Sequence, residues 1–123
     1  MTTEEKQLST GLDSVLFIGS DIVGRGENYE LGSLLMQRFL HEVGERQNRP
    51  GTVILMNNGV KLATSDSPAL AELKQLEARG VEIFACGTCL SRLQLMDRVA
   101  VGQVSNMSDI TDILLKSGNV ISL

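Results

Sequence analysis

Val81-Glu82-Ile83-Phe84-Ala85-Cys86-Gly87-Thr88-Cys89-Leu90 reads as a buried strand that runs straight into a Cys-x-x-Cys turn. The run before the turn is almost continuously apolar, as a parallel strand covered on both faces must be; a strand with one wet face would alternate. Cys86 and Cys89 are the only cysteines in 123 residues and lie three positions apart. A thiol at the start of a helix meets unpaired backbone N–H groups and the positive end of the helix dipole, and both favour the thiolate. The thiolate is the form that attacks sulfur or binds metal, so the placement points to chemistry rather than packing.

Outward from this stretch the same kind of run recurs. Short segments rich in β-branched residues fall at 14–18, 52–56, 100–104 and 119–122. Between the strands the apolar spacing turns helical. Residues 29–45 carry Leu31, Leu34, Leu35, Phe39 and Leu40 as the expected buried face, and residues 68–79 carry Leu70, Leu73 and Leu76. Ser67 followed by Pro68 is a good helix start and Gly80 a good stop. Two further helices are expected over 90–97 and 108–116, the second begun by Asn106 or Ser108 and ended before Gly118. This strand–helix alternation predicts a three-layer α/β/α sandwich around a mostly parallel five-stranded sheet. Residues 14–123 form the single expected domain, and 1–13 read as a polar tail.

In open parallel sheets ligands bind beyond the carboxyl ends of the strands. Three loops that follow strands are rich in glycine and polar groups: Gly19-Ser20-Asp21-Ile22-Val23-Gly24-Arg25-Gly26, Asn57-Asn58-Gly59-Val60-Lys61 and Cys86-Gly87-Thr88-Cys89. Parallel strands put all three at one sheet edge, so a single site is expected there. Cys86 and Cys89 are its expected catalytic pair, with the amides of Gly87 and Thr88, aided by Arg25 and Asn58, stabilising the thiolate. Lys61, Arg92 and His41 are expected at the surface. The methionines at 36, 56, 96 and 107 are expected to fill the core.

Composition narrows the chemistry. Formal net charge is −4 without a basic cluster, which argues against nucleic acid or an anionic membrane as partner. No apolar run is long enough for a membrane span and the first 13 residues lack the apolar core of a secretory signal, so a cytoplasmic, reducing setting is expected. In that setting a close cysteine pair is catalytic or metal-binding more often than a structural disulfide. Structural zinc would need four Cys or His ligands, and His41 is the only histidine, so neither metal nor cofactor is expected. The 19–26 loop does not match Gly-x-Gly-x-x-Gly, and Asp21 would face a pyrophosphate. A thioredoxin-like reading wants the motif after the first strand and a cis-proline opposite; here it follows the third. Transfer of sulfur through a persulfide fits the pair best. A non-catalytic oligomeric binding module and a dithiol oxidoreductase are the alternatives.

Five motifs occur together: Val15-Leu16-Phe17-Ile18-Gly19-Ser20-Asp21, the 32–40 segment Gly-x-Leu-Leu-Met-x-x-Phe-Leu, Met56-Asn57-Asn58-Gly59-Val60-Lys61-Leu62, Cys86-Gly87-Thr88-Cys89-Leu90, and Val101-Gly102-x-x-x-Asn106-Met107. The set resembles the DsrE/DsrF-like family, specifically the carboxyl-terminal DsrE-like domain of YedF-type proteins, described as sulfurtransferase-like selenium metabolism proteins. The resemblance covers roughly 14–123. It implies a DsrE/DsrF/DsrH-type fold, a homo-oligomer with a trimer favoured, and a sulfur or selenium relay. It also implies a persulfide on the cysteine that corresponds to Cys86, with Cys89 belonging to the YedF-like pattern. YedF-type chains begin with a TusA-like domain bearing a Cys-Pro motif, which nothing here matches. Either the chain works with a separate sulfur or selenium donor or acceptor protein such as a TusA-like carrier, or it is an excised or independently encoded domain.

Overall fold

The structure is a computed structural model that describes residues 13–123. The tail expected over 1–13 thus lies, up to residue 12, outside the described residues. Five strands, β1 (Ser14–Ile18), β2 (Thr52–Leu55), β3 (Glu82–Cys86), β4 (Gln103–Ser105) and β5 (Asn119–Ser122), form one sheet in the order β4-β3-β2-β1-β5. Every neighbouring pair is parallel, with Ile18 beside Leu55, Leu55 beside Ala85 and Cys86 beside Ser105. Burial follows this order. Val53, Ile54 and Leu55 of the central strand are all fully buried, whereas every residue of the edge strand β5 is exposed. A buried side chain of this size contributes about 1.5–3 kcal/mol, so the middle of the sheet anchors the core.

Four helices connect the strands: α1 (Tyr29–Glu45), α2 (Leu70–Ala78), α3 (Gly87–Arg92) and α4 (Met107–Lys116). From β1 to β4 the chain steps one strand at a time toward one edge, and right-handed crossovers place α1, α2 and α3 on one face. In keeping with this, α1 packs on α2. Between β4 and β5 the chain crosses back over the whole sheet, so the same handedness puts α4 on the opposite face. The loops after β3 and β4 therefore leave in opposite directions, and a crevice opens between their ends.

Side-chain caps set two helix starts. Asn28 accepts a hydrogen bond from the Leu31 N–H at 3.0 Å, and Asn106 from the Asp109 N–H at 2.9 Å. Several expectations are corrected. Residue 69, not Ser67, caps α2; the Ser67 hydroxyl instead accepts from the Ala69 N–H at 3.1 Å, in a turn one step earlier. The helix expected over 90–97 begins at Gly87 and stops at Arg92, because Gln94 takes a positive φ of 59° before the short 3-10 turn Met96–Arg98. The turn expected after β2 is a seven-residue 3-10 helix, Asn57–Ala63, entered through a positive φ at Asn57.

The buried face of α1 also differs from expectation. Gly32, Met36, Leu40 and Gly44 point inward, a row of i, i+4 neighbours, while Leu31, Leu34 and Leu35 are 50, 44 and 43% exposed. Gly32 decides this, since a Cβ there would come within 2.8 Å of the Ile22 side chain and 2.9 Å of the Val23 carbonyl. Close approach along the glycine row outweighs the leucine stripe. Met36 is core, as expected, but Met96 and Met107 are exposed at the surface.

Candidate functional site

Cys86 ends β3 and is 1% exposed, packed in the core cluster. Cys89, on the first turn of α3, is half-buried and opens on a cavity of about 370 Å3. Both are free thiols. Cys89 Sγ accepts a hydrogen bond from the Asn57 N–H at 3.2 Å, the first amide of the 3-10 helix that follows β2. Its proton is held above the ordinary thiol range, first because burial penalises the thiolate and then because its S–H can donate to Cys86. The Asn57 amide pulls the other way, because it stabilises the anion. The resemblance implies a persulfide on Cys86, yet in access the two thiols stand the other way round: the core closes over Cys86, and Cys89 is the sulfur a reagent can reach.

The cavity wall joins three strand ends. Met56 and Asn57 follow β2, Thr88, Cys89 and Arg92 belong to α3, and Met107 begins α4 after β4. Thr88 lines the same cavity as Cys89. Gly87 has another part: a Cβ there would stand 3.0 Å from the Ser105 carbonyl and 3.2 Å from the Val104 side chain, so its lack of a side chain lets α3 start close against β4. Asn58 is exposed and lies outside the cavity wall, its place being taken by the backbone of Asn57. Arg25 is exposed in the first loop and is not among the residues around Cys89.

That first loop serves a second cavity of about 410 Å3, where Asp21 and Tyr29 face Lys61 and Asp66. The Tyr29 hydroxyl donates to the Asp21 carboxylate, which raises the Tyr29 pKa. Leu93 lines both cavities, so the one expected site is two neighbouring spaces separated by a leucine. Sequence reasoning missed Arg92, Met56 and Met107 as wall residues. A signal existed for each: Arg92 is i+3 from Cys89 on a helix, and the two methionines stand just past the carboxyl ends of β2 and β4.

A parallel five-stranded α/β domain with a free thiol pair at its strand ends defines the class. A family model described as the DsrE/DsrF-like family matches residues 40–123, and the chain belongs to that family. No curated protein matches the sequence. Among solved structures, the YchN protein of E. coli is similar with a TM-score of 0.69 and 14% identity, over 91% of this chain and 99% of that one. A protein of unknown function from Methanobacterium thermoautotrophicum is similar with a TM-score of 0.67 and 19% identity, over 89 and 97% of the two chains. A third, from Bacteroides thetaiotaomicron and also of unknown function, gives 0.64 and 17%, over 90 and 95%. At these identities the likeness is one of fold. Among the described residues no helix is long and apolar enough to cross a membrane.

Proposed function

We propose that this chain is a relay protein for sulfur or selenium, of the YedF type within its family, carrying the chalcogen as a persulfide on the Cys-x-x-Cys pair. One observation carries the reading: of two free thiols at the end of β3, Cys89 opens on a cavity and takes a backbone N–H on its sulfur. Cys89 is the acceptor in this proposal, because an attacking thiolate needs access and Cys86 is 1% exposed. Cys86 is the resolving thiol. Its attack on Cys89 Sγ breaks the persulfide S–S bond, releases hydrosulfide and closes a Cys86–Cys89 disulfide, which a thiol reductant reopens. The Asn57 amide and Thr88 take the stabilising roles at the sulfur; Gly87 acts through packing, and Arg25 and Asn58 drop out of the set.

The proposed setting is the cytoplasm, with a TusA-like carrier as a partner for loading or unloading and a homo-oligomer, a trimer favoured, as the working form. The exposed leucines of α1 and the uncovered β5 support self-association.

Intact mass spectrometry after incubation with a cysteine desulfurase and cysteine tests the reading. One additional sulfur per chain is expected to persist on Cys86→Ser and to be transient on wild type, where resolution by Cys86 leaves the chain two hydrogens lighter and hydrosulfide in solution; Cys89→Ser gains none. Loading that survives in Cys89→Ser and vanishes in Cys86→Ser returns the acceptor role to Cys86. Loss of two hydrogens on wild type with no sulfur gained on Cys86→Ser and no hydrosulfide released indicates a dithiol oxidoreductase, and an unchanged mass with every donor leaves a binding module.

A further inference from the structure

Among the described residues, the wall of the Cys89 cavity carries one charged side chain, and it is positive. Arg92 lies one helical turn beyond Cys89 and shares its cavity. Arg92 forms no ion pair among the described residues, whereas Arg46, Arg79 and Arg98 each do. Among the described residues no Asp or Glu lines the cavity, although acidic residues outnumber basic ones by 15 to 11 along the chain. The rest of the wall is largely Met56, Leu93 and Met107, apolar and, in the methionines, polarizable. The volume of about 370 Å3 falls within the span of small-molecule sites, roughly 300–1,000 Å3.

We infer that this cavity takes a low-molecular-weight organic persulfide bearing a carboxylate, with the carboxylate on Arg92 and the outer sulfur at Cys89. The inference rests on the relay reading above and narrows its donor. A guanidinium fork matches a carboxylate with two parallel hydrogen bonds, and the methionine and leucine walls hold the organic part. The Cys89 thiolate attacks the outer sulfur of the donor R–S–SH. A bond forms between Cys89 Sγ and that sulfur, the donor S–S bond breaks, and the electron pair leaves on the inner sulfur as R–S⁻. The proton stays on the transferred sulfur, and the exchange is redox-neutral overall.

Matched donors test this. The persulfides of N-acetylcysteine and of its amide differ by the carboxylate alone, and loading of each is followed by intact mass against time. Wild type is expected to load the carboxylate donor roughly 2- to 5-fold faster than the amide, as an exposed charge pair allows. Added salt should narrow that preference. The preference should vanish in Arg92→Gln and return in part in Arg92→Lys. Equal rates with the two donors, or a preference that survives Arg92→Gln, overturns the assignment while the relay stands. Loading from a protein-borne persulfide but from neither small donor overturns it too and makes a docked carrier the donor. No loading from any of the three removes the relay reading itself.

Discussion

At the scale of single residues, the site turns on one proton. Cys89 holds it above the ordinary thiol value because of burial and its neighbour Cys86. Cys86→Ala removes the second cause, so the Cys89 pKa should fall toward the ordinary value. Alkylation at neutral pH should then speed up, because a lower pKa leaves more of the thiol as thiolate. Rates measured against pH on the Cys86→Ala variant check this, and an unchanged profile would show that Cys86 does not influence its neighbour. The stability linkage has a definite sign. A folded state that holds the proton more tightly than the unfolded chain keeps this contribution below the ordinary thiol value and loses it as pH rises through the raised one. Which cysteine meets solvent was not legible in the sequence. Ala85 and Cys86 are consecutive strand residues and both are buried, because elements distant in sequence cover both faces of β3. Arg92 was legible in principle from its spacing. Read alone it is a surface arginine; read with Cys89 it is a wall residue.

Among the elements, the 3-10 helix Asn57–Ala63 does more than its length suggests. Its first amide meets Cys89, Lys61 and Leu62 line the second cavity, and Gly59 presses against β1. A Cβ on Gly59 would collide with the Ile18 carbonyl, a backbone atom that cannot swing aside. Gly59→Ala should therefore cost about 1–3 kcal/mol, seen as a lower urea midpoint with an unchanged slope. It should also disturb Cys89, whose hydrogen bond comes from two residues earlier. A midpoint equal to that of wild type would mean that the loop shifts freely. The bounds of β1, β5 and α1 were readable outright, since apolar runs and period-3.6 stretches report elements directly. Asn-Asn-Gly, by contrast, signals a turn and says nothing about what happens four residues later. The continuation as 3-10 helix comes from burial of Val60, Leu62 and Ala63, a tertiary cause. The glycine row of α1 belongs to the same class, because a small residue marks close approach only when its neighbour is known.

For the whole molecule, exposed apolar surface sets the expectation. Tyr29, Leu31, Leu34 and Leu35 stand out from α1, and Val120, Ile121 and Leu123 from the region of β5. Contiguous apolar surface of this kind marks contact between molecules. Light scattering at micromolar concentration should give a multiple of the 13.3 kDa chain mass, and Leu31→Glu with Leu34→Glu should shift it toward one copy. A monomeric wild type would remove the oligomer from the proposal. The order β4-β3-β2-β1-β5 has a further consequence, in time rather than in space. Ser14 pairs with Asn119, so β1 waits about a hundred residues of synthesis for the neighbour on one of its sides. Until then a nascent chain presents an open row of amides and carbonyls along β1. The same row accepts a matching strand from another copy as readily as its own. Synthesis that stalls before residue 119 would therefore favour strand exchange between chains.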